Sequence, residues 1–332
     1  MIETLTDTGS RMTYGAAFEP DGKSLIFSQD GVGVVSYAVR HGAEIQTFPF
    51  DSVMPPQEHI ISPDGSLLYV RVSDGQTCEI IIYDLVSGTE NNRYDFESNL
   101  IQQLGCDPRQ YPVFHPDGQS VFARSADEEG ILWDVSTGEV LSRIPGFPSG
   151  RIEITDDGSS VLVVTENSDT ASGSVEISEW DLVSDTQTQL LALPDGFGSL
   201  NMADFSSDGQ YVLTSNGESS IYMDVSTGEI IRELSAPVGG MLAAVFSPDD
   251  QLALTIGSGL GEMMLWDLES GASISSWNAG TVYYAEVTPD GRYVVTVGQR
   301  VSLWDVQTGE EIRRYTDATG SWFHPHILPD SQ

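Results

Sequence analysis

The clearest regularity in the chain is a pair of apolar positions at fixed distances on either side of a recurring aspartate. The residue three positions before the aspartate is always apolar, and so is the residue four positions after it. Constant apolar positions on both sides of a turn describe a β-hairpin that always buries the same face. The aspartates are Asp21, Asp64, Asp117, Asp157, Asp208, Asp249 and Asp290. The apolar residues are Phe18, Ile61, Phe114, Ile154, Phe205, Phe246 and Val287 before them, and Leu25, Leu68, Val121, Val161, Val212, Ala253 and Val294 after them.

The aspartates sit in a turn that reads Pro-Asp-Gly in its most complete form, as at residues 62–65 and 115–118. Proline fixes φ at the start of such a turn, aspartate can bond its own backbone, and glycine accepts a positive φ. Neighbouring aspartates are roughly forty residues apart with two longer intervals, which matches the period of one four-stranded propeller blade.

A second signature follows each hairpin and ends a third predicted strand. It is an aromatic or Met residue followed by aspartate, then a turn such as Thr137-Gly138, then a polar fourth strand. The first repeat has Tyr37-Ala38 at this place. The other repeats have Tyr83-Asp84, Trp133-Asp134, Trp180-Asp181, Met223-Asp224, Trp266-Asp267 and Trp304-Asp305.

This combination of Pro-Asp-Gly turn, Trp-Asp strand end and Thr-Gly turn resembles the WD-repeat (WD40) β-propeller family, with degenerate repeats. The resemblance implies an all-β, seven-bladed β-propeller of four-stranded antiparallel blades. The chain departs from the family because no Gly-His precedes any innermost strand. We therefore expect packing between blades to replace much of the polar network that this histidine joins in the family.

We expect residues 1–332 to form one propeller domain, in which 317–332 resembles the first strand of an eighth repeat. That resemblance fits a longer parent protein, or a terminal strand that closes the ring. The predicted blades are 14–50, 57–98, 110–146, 150–193, 200–235, 241–278 and 282–316. The longer segment 89–112, and the hairpin 165–174 with the glycine-rich exit 194–198 in the fourth blade, are interpreted as tolerated surface insertions, with contact loops as the alternative.

Charge narrows the range of partners. Fifty acidic residues face fourteen basic ones, for a formal net charge of -36. Such a surface repels phosphate backbones and anionic membranes, so we expect neither nucleic acid nor membrane as partner. Protein partners remain, with a basic one favoured by charge. General acidity that serves solubility is the simpler explanation, because the acidic residues are spread along the chain.

The two cysteines, Cys78 and Cys106, show no metal-ligand spacing. A disulfide between them is possible, but free thiols in a reducing compartment are the expectation. No signal peptide or apolar stretch of membrane-spanning length is visible, so the predicted location is the cytoplasm. The chain is expected to be monomeric or part of a larger chain or complex.

No nucleophile elbow, P-loop, dinucleotide fingerprint or metalloprotease motif is present. We therefore predict no enzyme, no catalytic residues, no cofactor and no metal site. The leading hypothesis is a non-catalytic protein-binding scaffold, which the family resemblance implies. The alternatives are a sensor or regulatory domain of a larger prokaryotic signalling or defence protein, and a propeller enzyme with a metal or quinone in its central channel.

Candidate partner-binding residues lie where the innermost strands begin, at the rim of the predicted channel. Tyrosine and arginine are enriched at binding hot spots, although packing between blades would explain the tyrosines equally well. The residues six or seven positions before the turn aspartates include Tyr14, Tyr111, Arg151, Asn201, Tyr283 and Tyr284.

Overall fold

The computed structural model contains 28 strands and one short helix among the residues that it describes. The strands form seven sheets, and each sheet consists of four strands that follow one another in the chain. All pairings within the sheets are antiparallel. The described residues are 13–19, 21–29, 33–39, 42–49, 56–73, 77–95, 97–106, 112–167, 174–192, 203–215, 218–235, 241–257, 261–288, 290–298 and 301–316.

Each sheet is one blade, numbered here in chain order. Blade 1 contains β1 (Thr13–Phe18), β2 (Ser24–Gln29), β3 (Gly33–Ala38) and β4 (Glu44–Phe48). Blade 2 contains β5 (Pro56–Ile61), β6 (Leu67–Ser73), β7 (Cys78–Asp84) and β8 (Glu90–Tyr94), and the helix α1 (Asn99–Leu104) follows it. Blade 3 contains β9 (Val113–Phe114), β10 (Ser120–Arg124), β11 (Glu129–Asp134) and β12 (Val140–Pro145).

Blade 4 contains β13 (Arg151–Ile154), β14 (Ser160–Asn167), β15 (Ser174–Asp181) and β16 (Thr186–Ala192). Blade 5 contains β17 (Asp204–Phe205), β18 (Tyr211–Ser215), β19 (Ser219–Asp224) and β20 (Ile230–Ser235). Blade 6 contains β21 (Met241–Phe246), β22 (Leu252–Gly257), β23 (Glu262–Asp267) and β24 (Ser273–Asn278). Blade 7 contains β25 (Val282–Val287), β26 (Tyr293–Gly298), β27 (Val301–Asp305) and β28 (Glu311–Thr316).

The first strand of each blade is the innermost one. First strands of neighbouring blades contact each other, as β1 with β5 and β21 with β25 do. Fourth strands are the outermost, and they carry most of the exposed aliphatic side chains, such as Ile45, Leu141 and Ile274. The fold is therefore a seven-bladed β-propeller, as the family resemblance implies.

Seven apolar clusters hold the ring together, and each cluster is shared by two neighbouring blades. One of them joins Phe18 and Phe27 of blade 1 to Val295 and Leu303 of blade 7. The ring of blades is thus closed by side-chain packing between the first and last blades. The tail 317–332, with its likeness to an eighth repeat, lies outside the described residues.

The predicted apolar positions form this core. All seven residues four positions after the turn aspartates are completely buried, at 0% exposure. Of the residues three positions before them, Val287 is partly buried and the others are buried. Within each blade the two residues pack in the same cluster: Phe246 and Ala253, for example, lie in that of blades 5 and 6, whereas the neighbouring Val245 packs in that of blades 6 and 7.

The repeated aspartates are structural. Each of the seven turn aspartates accepts a hydrogen bond from the backbone N–H two residues later, as Asp117 does from Gln119 at 2.7 Å. The six aspartates of the second signature likewise accept backbone N–H bonds from the turn that follows them. Many of the acidic residues are thus explained by turn formation without any partner.

The expectation of free thiols is wrong. Cys78 at the start of β7 and Cys106 after α1 form a disulfide with a Cα–Cα distance of 5.6 Å. The segment 89–112 contains α1, whose Leu100, Ile101 and Leu104 are buried in the cluster of blades 2 and 3. This packing brings the end of α1 to β7, a proximity that the residue types and spacing do not reveal.

Candidate protein-binding face

The propeller has two faces, and the strand order decides what lies on each. We call the face on which the innermost strands begin the strand-start face; it also contains the turns between second and third strands and the connections between blades. We call the opposite face the turn face. It contains the Pro-Asp-Gly turns and the turns between third and fourth strands.

The turn face is dominated by the repeated carboxylates. Hydrogen bonds from Ser136 and Thr137 lower the pKa of Asp134, and bonds from Ser270 lower the pKa of Asp267. These carboxylates remain ionised well below neutral pH because the folded turn stabilises the charged form. The turn face is consequently negative over the whole physiological range.

Carboxylates of three neighbouring blades interact on the turn face. The pKa of Asp156 in blade 4 is raised by burial and then by the charges of Asp250 and Asp208. Burial also raises the pKa of Asp250 in blade 6, although its carboxylate accepts hydrogen bonds from Ser207. The backbone N–H of Ser207 donates at 3.0 Å and the hydroxyl of Ser207 donates at 2.5 Å. Among the described residues, no group of three or more His, Cys, Asp or Glu side chains has a geometry suited to a metal ion.

A buried charged pair lies in blade 2. Glu58 in β5 is paired with Arg71 in β6 at 3.4 Å, and both side chains are almost completely buried. Burial raises the pKa of Glu58 to about 7, against the opposing effect of Arg71. Burial also lowers the pKa of the adjacent His59 to about 4, so His59 is neutral at physiological pH. The pair links the inner strand to the second strand within the blade.

Four of the predicted rim residues lie in innermost strands. Tyr14 is in β1, Arg151 begins β13, and Tyr283 and Tyr284 are near the start of β25. The backbone thus places all four at the strand-start end, while their side chains lie outside what the structure describes. Two further rim predictions, Tyr111 and Asn201, lie outside the described residues altogether.

Among the described pairings, the start of the innermost strand is irregular in four blades. In blade 7, Val282 pairs with Gly298 and Tyr284 with Val297, so Tyr283 is an extra residue in the ladder. The same shift makes Gln57 extra in blade 2 and Leu242 extra in blade 6, and it occurs between Thr13 and Ala16 in blade 1. Such β-bulges are frequent at barrel rims and next to active sites, where they redirect a side chain.

The bulged blades 6, 7, 1 and 2 are consecutive around the ring, so their strand starts form one continuous arc. We call Tyr14, Gln57, Leu242 and Tyr283 the bulge arc; each lies seven positions before its turn aspartate. Sequence reasoning selected Tyr14 and Tyr283 but missed Gln57 and Leu242, because it favoured aromatic and charged residues. The fixed offset alone would have found all four.

No protein-family model matches the chain. Two curated fungal proteins are similar to it, both named eukaryotic translation initiation factor 3 subunit I. The Emericella nidulans protein is 27% identical over 194 residues, which cover 55% of this chain and 57% of that protein. The Aspergillus oryzae protein is 26% identical over 254 residues, covering 74% of this chain and 72% of that protein. The chain thus spans less than two thirds of the Emericella relative.

In the described part of the chain, no helix is long and apolar enough to cross a membrane. Seven four-stranded blades, each built around the recurring aspartate turn, account for almost all of the described residues. The architecture is a seven-bladed β-propeller, and together with these relatives it is consistent with the WD-repeat family that the sequence resembles.

Proposed function

We propose that this propeller is a non-catalytic protein-binding module whose partner docks on the strand-start face, at the bulge arc. The observation that carries the proposal is the continuity of the arc over blades 6, 7, 1 and 2. A bulge at one strand start is a local irregularity. Four in consecutive blades alter one contiguous stretch of the channel rim.

Residue type supports the same surface. Tyr14 and Tyr283 in the arc, with Tyr284 beside them, are of the type enriched among residues that dominate binding energy. Arg151, Tyr111 and Asn201 extend the proposed rim into blades 3 to 5, where the described inner-strand pairings are regular. We rank Arg151 below the arc for that reason, and Tyr111 and Asn201 because they lie outside the described residues.

The relatives support a role within an assembly. Both are named as subunits of a translation initiation factor. We propose that this chain likewise works as one component of a larger complex with protein partners, in the cytoplasm, and neither as an enzyme nor as a nucleic-acid-binding protein. The net charge of -36 favours a basic partner segment.

Affinity capture from the source organism, followed by chemical crosslinking and mass spectrometry, tests the proposal. We expect one partner to crosslink within a few residues of the strand starts of blades 6, 7, 1 and 2, and its retention to fall as salt is raised. Crosslinks confined to the turn face would contradict the proposed surface. Conversion of a captured small molecule by the purified chain would contradict the non-catalytic assignment.

A further inference from the structure

The helix α1 connects two blades and has little structure of its own. It is six residues long, which is too short for a stable isolated helix. Its N-terminus is capped by Ser98, whose hydroxyl accepts the N–H of Ile101, and its last carbonyl, that of Leu104, accepts the N–H of Ala126 in blade 3. Its position must therefore come from contacts with the two blades.

The disulfide supplies the covalent part of this attachment. It joins Cys106, two residues after α1, to Cys78 at the first position of β7 in blade 2. Blade 3 provides the hydrogen bond from Ala126, and blade 2 provides the disulfide. With both in place, α1 spans the interface between blades 2 and 3 on the strand-start face and covers their shared apolar cluster.

The two sulfur atoms differ in accessibility. Cys78 is completely buried, whereas Cys106 is partly exposed. An attacking thiolate would therefore reach the sulfur of Cys106, and Cys78 would be the leaving group. Disulfides in a reducing compartment such as the one proposed above are mostly transient and redox-sensing.

We propose that Cys78 and Cys106 are a reversible redox-modification site, a clamp that fixes α1 across blades 2 and 3 when oxidised and frees it when reduced. The reductant is a dithiol of the thioredoxin class. One of its thiolates attacks Sγ of Cys106, the Cys106–Cys78 bond breaks, and the Cys78 thiolate takes up a proton. The second thiol of the reductant then displaces Cys106, so that the protein gains two electrons and two protons and the reductant becomes a disulfide.

Reduction leaves α1 with weaker attachments. The Cys78 sulfur lies 3.6 Å from the carbonyl oxygen of Gly105, so its thiol can donate only a weak hydrogen bond there. The burial of Leu100, Ile101 and Leu104 and the hydrogen bond from Ala126 then have to hold α1 without a covalent bond. Any effect on partner binding, and the reducing compartment, rest on the function proposed above, but the covalent attachment of α1 to blade 2 does not.

Hydrogen–deuterium exchange of the full chain tests the clamp in its oxidised and dithiol-reduced forms. We expect amides bonded within α1, those of Gln102 and Gly105, to exchange at least tenfold faster after reduction. Amides of β22 in blade 6 should be unchanged, and reoxidation should restore protection. In the double variant Cys78→Ala/Cys106→Ala, the amides of α1 should exchange as fast as in the reduced form, and neither reductant nor oxidant should change that rate.

Three results would overturn the proposal. Equal protection of α1 in both redox forms would show that packing alone fixes the helix. Loss of protection in all blades on reduction would make the disulfide a global staple and not a local clamp. A redox response that persists in the double alanine variant would show that the cysteines are not its source. Each readout concerns the helix alone and is independent of whether a partner binds the bulge arc.

Discussion

Trp304 and Thr296 form a buried hydrogen bond across two strands of the last blade, with Nε1 of Trp304 donating to Oγ1 of Thr296 at 2.8 Å. The threonine lies two residues after Val294, the residue paired with the tryptophan. Blade 6 repeats the arrangement, with Trp266 donating to Thr255 at 2.9 Å. In these two blades the tryptophan at the end of the third strand donates to the same place in the second strand, whereas Trp180 of blade 4 donates to Ser178 of its own strand at 3.0 Å.

Blade 5 retains the threonine and lacks the tryptophan. Thr214 occupies the position of Thr296, but Met223 replaces the donor, and Oγ1 of Thr214 is buried with no hydrogen-bond partner among the described residues. The same substitution should thus have opposite effects in the two blades. Thr296→Val should lower the unfolding free energy by about 1–3 kcal/mol, because the buried indole N–H of Trp304 loses its acceptor. Thr214→Val should leave the unfolding free energy unchanged or raise it by up to about 1 kcal/mol, because it removes a buried hydroxyl that bonds to nothing described.

Urea-induced unfolding of the two valine variants and the wild type checks this contrast. Each variant is the other's control, because threonine and valine have the same shape and both sites are buried. If the two substitutions destabilise the chain equally, the hydroxyl of Thr296 contributes nothing through Trp304.

Blade 3 shows the reverse defect. Trp133 is completely buried, and in the part of the chain that the structure describes its Nε1 has no hydrogen-bond partner, because Ala123 occupies the place of the threonine. Ala123→Thr should supply the acceptor. Ala123→Val adds the same volume without the hydroxyl, so the threonine variant should exceed the valine variant in stability by about 1 kcal/mol. Equal melting temperatures of the two variants would mean that the added hydroxyl does not reach the indole.

Glu58 and His59 should act against each other in the pH dependence of stability. The pKa of Glu58 is raised from 4.5 to about 7 on folding, so the folded state binds the extra proton and stability falls as pH rises through this range. The pKa of His59 is lowered from 6.5 to about 4, so stability rises with pH between those values. The two contributions oppose each other between about pH 4.5 and 6.5.

Glu58→Gln removes one of these contributions. We expect the variant's unfolding free energy to rise more steeply with pH between 4.5 and 6.5 than that of the wild type, as measured by chemical denaturation at half-unit intervals. Gln retains the shape and can still accept from Arg71. Parallel curves for variant and wild type would show that Glu58 has an ordinary pKa in the folded chain.

The propeller was predictable because its repeats depend on local chemistry. A turn aspartate, a glycine or a buried valine has the same role in each blade, so repetition reveals it without any knowledge of distant contacts. Asp250 illustrates the tolerance of the pattern: it replaces the turn glycine, adopts a φ of 56° and bonds to Ser207 of the preceding blade. Aspartate is among the few residue types that enter this region readily.

The features that the sequence did not predict depend on the register between strands and on contacts between residues far apart in the chain. The position of Cys106 follows from the packing of Leu100 and Leu104 between two blades, which neither its neighbours nor its distance from Cys78 specify. Likewise, the bulge at Tyr283 is a property of how β25 pairs with β26. The sequence predicted correctly where β25 begins, but only its pairing with β26 shows that Tyr283 is the extra residue.

The dissociation constant of the captured partner, measured by calorimetry for three versions of the chain, tests the central claim most directly. Tyr14→Ala/Tyr283→Ala alters the bulge arc, and Gln119→Ala/Gln210→Ala removes exposed side chains from the turn face as the matched control. The account predicts that the tyrosine variant binds at least about thirtyfold more weakly, a loss of about 2 kcal/mol, while the glutamine variant binds like the wild type. Weakening by the glutamine variant with full affinity in the tyrosine variant would contradict it, because the partner would then dock on the turn face.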